Sequence, residues 1–421
     1  MKSLDDIAAE LQGYDPLALH SADVGQFLSR LVHSVTETQQ VDIFSALDRV
    51  LAQDLISPIS VPPHDNSAMD GYAFDGTQLG PDAALTLKVV GTALAGQAWQ
   101  GAVSAGECLR IMTGAVMPEG LDTVLPQELA GVAGDQITVP ANALRRGDNR
   151  RLLGEDLLQG STALQKGEPL TPAALGLIAS LGMATVSVMR RLRVAYFSTG
   201  NEILSLGEAP REGAVFDSNR YTVFGLLTRL GCEVIDMGVV HDDPVLLEAA
   251  FTQAANQADA IITSGGVSVG EADYTKVMMK QLGDVAFWKI AMRPGRPMAV
   301  GRINHAVLFG LPGNPVAVIV TFLAFVRPAL LQMMGRKPQP QPLLKARSTL
   351  AIRKRPGRTE YQRGIVSGTA DGSLVVQITG NQGSGVLSSV VQANGLIVLG
   401  HAQGNIAAGD EVDVMMFDGV V

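Results

Sequence analysis

The sequence predicts a multidomain α/β protein: a central parallel-type, three-layer α/β domain, an inserted small β domain, a helical amino-terminal segment and a carboxy-terminal small β-barrel domain. Three observations lead there. From Arg191 onward, apolar β-type runs alternate with helical patterns, and each run ends in a polar loop. Between residues 61 and 141, short β-type runs are punctuated by glycines. Beyond the stiff linker Lys337-Pro338-Gln339-Pro340-Gln341-Pro342, five more β-type runs are separated by Gly, Asn and Asp turns. The expected division is residues 1–60 with 142–190 as a helical or mixed scaffold that makes the subunit contact, 61–141 as the inserted β domain, 191–337 as the α/β domain and 338–421 as the carboxy-terminal β domain.

Composition narrows the function classes. A chain of 421 residues is too long for one ordinary core, and 47% hydrophobic against 17% charged residues is far from a disordered composition. A net charge of −9 and a pI near 5.2 argue against broad binding to nucleic acid or to an anionic membrane, so any anion site must be built locally. Cys108 and Cys232 are the sole cysteines, and no histidine pair has metal-ligand spacing, which supports neither a disulfide framework nor a zinc site. The start, Met1-Lys2-Ser3-Leu4-Asp5-Asp6, lacks an apolar signal core, and the apolar run Val316 to Val326 is short of a membrane span. The expectation is a soluble, cytoplasmic protein.

In chain order, Val24, Phe27, Leu28, Leu31 and Val32 recur at helical spacing, and a second apolar pattern over Ile43 to Ile56 is also read as helical. His33 lies on the first pattern and is given no role. From Val61 the texture changes to Pro62-Pro63-His64-Asp65-Asn66-Ser67-Ala68-Met69-Asp70-Gly71-Tyr72-Ala73, an exposed, shaped loop. Strands are expected at Leu85 to Val90, Cys108 to Met112 and Gln136 to Val139, with a Thr-Gly turn at Thr113-Gly114. Both polar loops also suit ordinary hairpin connections. Arg145, Arg146, Arg150 and Arg151 form a basic cluster for a solvated face, an anionic ligand or a partner acid. Thr171-Pro172 starts a helix through Leu181, with Thr as cap and Pro in the first turn.

The α/β region holds the chemistry. Arg193 to Phe197 runs into Ser198-Thr199-Gly200-Asn201-Glu202, Glu233 to Val239 into His241-Asp242-Asp243-Pro244, and Asp259 to Thr263 into Ser264-Gly265-Gly266. Helices are expected over Asn219 to Leu230, Pro244 to Asn256 and from Tyr274. A loop with little side-chain bulk after a buried strand lets backbone N–H groups close around an oxyanion, although the same glycines also make a simple tight turn. In a parallel sheet these loops share one edge, so Glu202, Asp242 and Asp273 can converge, and three acids beside glycine loops favour Mg²⁺ with phosphate. Lys289, Arg293 and Arg296, in and before the turn Ala291-Met292-Arg293-Pro294-Gly295-Arg296-Pro297, supply positive charge. Leu311-Pro312-Gly313-Asn314-Pro315 then opens a long apolar helix, Val316 to Met334, with Asn314 suited to the N-cap and Pro315 to the first turn.

Taken together, Asp65 to Ala73, Met112-Thr113-Gly114-Ala115, Ser198 to Glu202, Thr263-Ser264-Gly265-Gly266-Val267-Ser268 and Leu311 to Pro315 closely resemble the molybdopterin molybdenumtransferase family, the MoeA type, which includes the E domain of gephyrin. The resemblance spans nearly the whole chain with the motifs in family order. It implies an elongated homodimer that takes adenylylated molybdopterin and molybdate, inserts molybdenum into the dithiolene and releases AMP in a Mg²⁺-dependent step. It also implies site roles. Glu202, Asp242 and Asp273 would handle Mg²⁺ and the nucleotide, and Gly265, Gly266 and Ser268 would cradle pterin or phosphate. Lys289, Arg293 and Arg296 would hold molybdate, beside Pro312, Asn314 and Pro315. Asp70 and Thr113 would complete the site from the other subunit, with Arg358 and Ser384 at the rim. Candidate protein partners are the adenylyltransferase and molybdoenzyme apoproteins.

Two departures stand out: arginines where the family often has lysines in the 292–296 loop, and Asn201 where Asp is frequent. Arginine keeps the charge and gains a planar fork, whereas Asn201 removes a charge beside Glu202. Competing readings are a molybdopterin adenylyltransferase, which resembles only Arg191 to Gly335, a non-enzymatic pterin- or peptide-binding scaffold, and a tungstate-specific relative.

Overall fold

The computed structural model describes residues 2–11, 13–267, 274–417 and 421. It resolves into two compact units: residues 1–39, 48–52 and 188–421 form the first, and residues 40–47 and 53–187 the second.

The first unit is built on a six-stranded sheet in the order Glu233–Val240, Arg193–Thr199, Ala260–Ser264, Ala306–Leu311, Pro297–Ile303, Asp284–Lys289. The first four strands are parallel, Pro297–Ile303 runs antiparallel to them, and Asp284–Lys289 runs antiparallel to Pro297–Ile303. Ala260–Ser264 and Ala306–Leu311 are buried at every position, which explains why they read as unbroken apolar runs instead of alternating ones. Successive residues feed opposite faces. Tyr196, Ile262 and Phe309 pack with Val223, Leu226 and Leu227 of helix Ser218–Leu230. Ala195, Ile261 and Leu308 pack with Leu247, Phe251 and Ala254 of helix Pro244–Gln257 and with Met279 of helix Tyr274–Leu282. The result is the expected three-layer domain.

Pro315–Met333 is one continuous 19-residue helix. It is long and apolar enough by composition to cross a membrane, but 72% of its most apolar window is buried inside the unit, so it is a core helix. The amino-terminal helices join the same core: Ile7 of Leu4–Ala9 and Val24, Phe27, Leu28 and Leu31 of Ser21–Leu31 are buried. Phe27 meets the Trp288 ring edge-on, with centroids 4.9 Å apart.

Past the linker, Thr359–Gly368, Leu374–Ile378, Leu344–Ser348, Glu411–Met416 and Gly395–Leu399 pair in that order, and the last returns to the first, closing a five-stranded barrel. Closure leaves no free edge within the ring. Met292–Arg293 adds outside the ring, parallel to Thr359–Glu360, and so ties the central domain's cationic turn to the barrel.

The second unit holds a six-stranded sheet ordered Thr123–Pro126, Gly71–Phe74, Glu107–Ile111, Leu85–Ala93, Gln136–Val139, Gly131–Ala133. Helix Pro172–Ser180 begins where Thr171 Oγ1 accepts from the Ala174 amide. The expected helix over Ile43 to Ile56 is corrected: Ile43–Ser45 forms a single 3₁₀ turn and Leu55–Ile56 a short strand. Asp48, at φ +61°, turns the chain between them, a backbone setting that a continuous helix cannot contain. Three of the four clustered arginines find acids of their own unit: Arg146 pairs with Asp122 at 2.6 Å, Arg150 with Asp65 at 3.5 Å and Arg151 with Glu155 at 3.9 Å.

Candidate active site

The loops that follow the parallel strands open onto a cavity of about 780 Å³ in the first unit. Gly265 and Gly266 form its glycine wall. A Cβ on Gly265 (φ +90°) would stand 2.5 Å from the Thr199 carbonyl oxygen, and one on Gly266 (φ +63°) would stand 2.5 Å from the Thr275 side chain. Only glycine keeps this turn close to its neighbours. Gly265→Ala should therefore push the loop away from Thr199 and cost about 1–3 kcal/mol of backbone strain; a lowered unfolding midpoint, read by thermal melting, is the expected result.

Glu202 lines the cavity, and Asp242 stands beside it, its backbone N–H donating to Asn201 Oδ1 at 3.1 Å. Burial, and then the negative charge of Glu202, raise the Asp242 carboxyl above the usual aspartate range. Two carboxylates that repel each other in a part-buried loop suit a hard divalent cation, which would offset both effects. Among the described residues no group of three or more metal-type side chains gathers; Asp273 and Ser268 lie outside the described residues. Asn201, where the family resemblance leads to Asp, links the two loops by accepting from the Asp242 N–H.

The raised Asp242 carboxyl has a defined pH signature. A carboxyl raised on folding is a penalty above its folded pKa, and that penalty disappears as pH falls through it. Without divalent cation, Asp242→Asn should be more stable than wild type at pH 7, with the difference fading toward acidic pH, and any stabilisation by added Mg²⁺ should be smaller in the variant. Thermal unfolding with and without Mg²⁺ across that range checks both.

The opposite charge comes from the turn and the barrel. Arg293, Arg296 and Arg358 line the cavity. The turn is fixed by its pairing with the barrel, by the Ile290 N–H donating to the Arg296 carbonyl at 2.8 Å and by the Thr359 N–H donating to the Ala291 carbonyl at 2.9 Å. Arg358 is aimed by Glu360, whose Oε1 accepts from its Nε at 2.8 Å. Behind them Arg363 is fully buried and holds the loop that carries Gln382 and Ser384, both cavity residues. Its guanidinium donates to Ser389 Oγ at 3.0 Å, Asn381 O at 3.3 Å and Gly383 O at 3.0 Å. Burial, followed by the like charge of Arg293, pushes its pKa down to about 10.

The structure thus brings together Glu202, Gly265, Gly266, Arg293, Arg296, Pro312, Asn314, Arg358 and Ser384. Asp242, Lys289 and Pro315 are not lining residues, Asp242 standing beside the cavity. Lys289 ends the edge strand, where its N–H donates to the Pro16 carbonyl at 2.8 Å, and it is not a lining residue. Pro315 opens the helix without lining the cavity, and Asn314 occupies the N-cap position without a side-chain capping bond. In the second unit Asp70 and Thr113 meet each other: Asp70 Oδ1 accepts from the Thr113 N–H and Oγ1, each at 2.7 Å, and those bonds, the hydroxyl first, hold its carboxyl below the usual range. Among the polar lining residues, sequence reasoning gave no site role to Thr199, Asp217, Asn219, Ser264 and Gln382. Asp217 lies outside the strand-end loops that drew attention, and the others carried no charge.

Comparison with known proteins points one way. Residues 19–182 match the family description MoeA N-terminal region (domain I and II), residues 195–332 the probable molybdopterin binding domain, and residues 345–417 the MoeA C-terminal region (domain IV). The chain is 42% identical over 384 residues to a molybdopterin molybdenumtransferase of Haemophilus influenzae, covering 91% of this chain and 95% of that protein. It is 32% identical over 387 residues to a molybdopterin molybdenumtransferase of Bacillus subtilis, covering 90% of each. A crystal structure titled molybdopterin biosynthesis moeA protein, from Pyrococcus horikoshii, superposes with a TM-score of 0.82 at 26% identity, over 95% of this chain and 100% of that one.

Proposed function

This chain belongs to the molybdopterin molybdenumtransferase family, a transferase family of molybdenum cofactor biosynthesis, and on that premise we propose that it inserts molybdenum from molybdate into adenylylated molybdopterin with release of AMP, in a Mg²⁺-dependent step. The observation that carries this reading is one cavity that pairs a glycine cradle and Glu202 with three arginines. Arg293, Arg296 and Arg358 offer planar donor pairs to a tetrahedral dianion and bring it to the dithiolene sulfurs. Gly265 and Gly266 let the main chain approach the phosphate. Glu202 and Asp242, with Asp273, would hold Mg²⁺, which offsets phosphate charge as the bond to AMP breaks. Catalysis of this kind is mainly positioning and charge.

On this reading Ser268 would add a hydroxyl for the phosphate, Lys289 would add positive charge, and Pro315 sets the helix start next to Asn314. Asp70 and Thr113, already oriented by each other, complete the site from the partner subunit of a homodimer. The adenylyltransferase delivers the substrate and molybdoenzyme apoproteins receive the product, in the cytoplasm. Incubation with unmodified molybdopterin and ATP separates this reading from the adenylyltransferase one: no adenylylated product is expected, and its formation would move the assignment.

A further inference from the structure

Two buried side chains of the cavity have oxygens that no donor among the described residues uses. Asp217 is 5% exposed and Asn219 8%, and both line the cavity. Asp217 Oδ1 accepts from the Arg220 N–H at 3.0 Å and so caps helix Ser218–Leu230. Its Oδ2 has no hydrogen-bond partner among the described residues. Asn219 Nδ2 donates to the Gly313 carbonyl at 2.8 Å, which fixes the amide orientation and leaves Oδ1 as the acceptor; Oδ1 is also unpartnered among the described residues.

Nearby donors are engaged elsewhere. The Arg220 guanidinium makes two bonds to Asp236, each 2.8 Å. The Tyr196 hydroxyl shares its bonds with Ser198 at 2.9 Å and Ser264 at 2.7 Å. A helix cap needs one oxygen, which serine or asparagine supplies as well. A buried carboxylate oxygen and a buried amide oxygen, on two residues that line the cavity, lack donors among the described residues and suit donors from a ligand.

On the reading given above, the substrate has two chemically opposite parts. Its phosphates and the molybdate are acceptors that suit the arginines. Its pterin head is uncharged and rich in N–H groups, including the adjacent 2-amino and N3–H donors of the pyrimidine ring. We propose that Asp217 and Asn219 bind the pterin head: Asp217 Oδ2 accepts from the 2-amino and N3–H edge, and Asn219 Oδ1 accepts from a further ring N–H. The acceptor pair and the arginine wall then orient the substrate in one direction, because reversing it would bury acceptors against acceptors.

The test is equilibrium binding of adenylylated molybdopterin, and separately of AMP, to wild type and to Asp217→Asn, which keeps the helix cap. The variant is expected to lose about tenfold to a hundredfold in affinity for the pterin nucleotide while AMP affinity is unchanged, since only the pterin contact is weakened. Asn219→Leu should behave in the same way. Equal affinity of wild type and variant for the pterin nucleotide overturns the assignment alone, as does an equal loss for AMP, which would indicate a distorted site or a displaced cation. Failure of wild type to bind the pterin nucleotide at all overturns the insertase reading and the assignment together.

Discussion

Arg293→Ala is expected to lower molybdate-dependent turnover by about a hundredfold, the scale on which a single preorganised electrostatic donor acts. The side chain lines the cavity, and its backbone is paired with Glu360 of the barrel, so the guanidinium is delivered by a fixed strand. Truncation removes a planar cation where a dianion would sit and leaves the cradle and the acids in place. The loss should therefore appear at low molybdate concentration and be partly recovered by raising it, whereas Mg²⁺ dependence stays unchanged. Arg293→Lys should recover part of the rate, because it restores the charge without the fork. Steady-state rates across a molybdate series separate these outcomes; a variant with wild-type kinetics would remove Arg293 from the site.

Arg363→Ala should have the largest effect on local stability. The residue touches no solvent, yet it satisfies Ser389, Asn381 and Gly383, and its own N–H donates to Gln382 Oε1 at 2.8 Å. Removing the guanidinium leaves the buried Ser389 hydroxyl and two part-buried carbonyls without their donor, and a loosening of about 3 kcal/mol is expected in the 381–390 segment. Amide hydrogen exchange there should accelerate by about a hundredfold, and Gln382 and Ser384 should lose their place in the cavity. Exchange unchanged in that loop would show that its order comes from elsewhere. Cys108 and Cys232, by contrast, are buried thiols that burial pushes up to about 12, and neither lines the cavity.

Much of the architecture was legible because local signals agreed with one another. The helix from Ser218 has an acidic cap, the helix from Pro244 has Asp243 as cap and proline in its first turn, and the buried parallel strands are unbroken apolar runs. Strand Pro297–Ile303 was not legible. It opens on proline and contains Gly301, both poor strand signals, yet a Cβ at Gly301 would lie 2.1 Å from the Asp284 carbonyl oxygen, so close strand approach demands that glycine. Its antiparallel pairing also carries the sheet beyond the parallel pattern read from sequence.

The site follows the same division. Glycines, acids and arginines at strand ends could be read directly, since topology places such ends on one edge. Lys289 shows the limit: charge and proximity in sequence do not say which way a strand end is taken up, and here it is bound to the amino-terminal segment. Asp217 shows the converse, since one carboxylate oxygen does the work of a cap and hides the other.

The most direct test of the central claim is AMP release from adenylylated molybdopterin by the purified protein with Mg²⁺, measured as molybdate is titrated. Release that rises with molybdate and saturates, accompanied by molybdenum bound to the pterin dithiolene, is the predicted result. Release indifferent to molybdate, or pterin nucleotide bound without any release, would contradict the assignment of this cavity to molybdenum insertion.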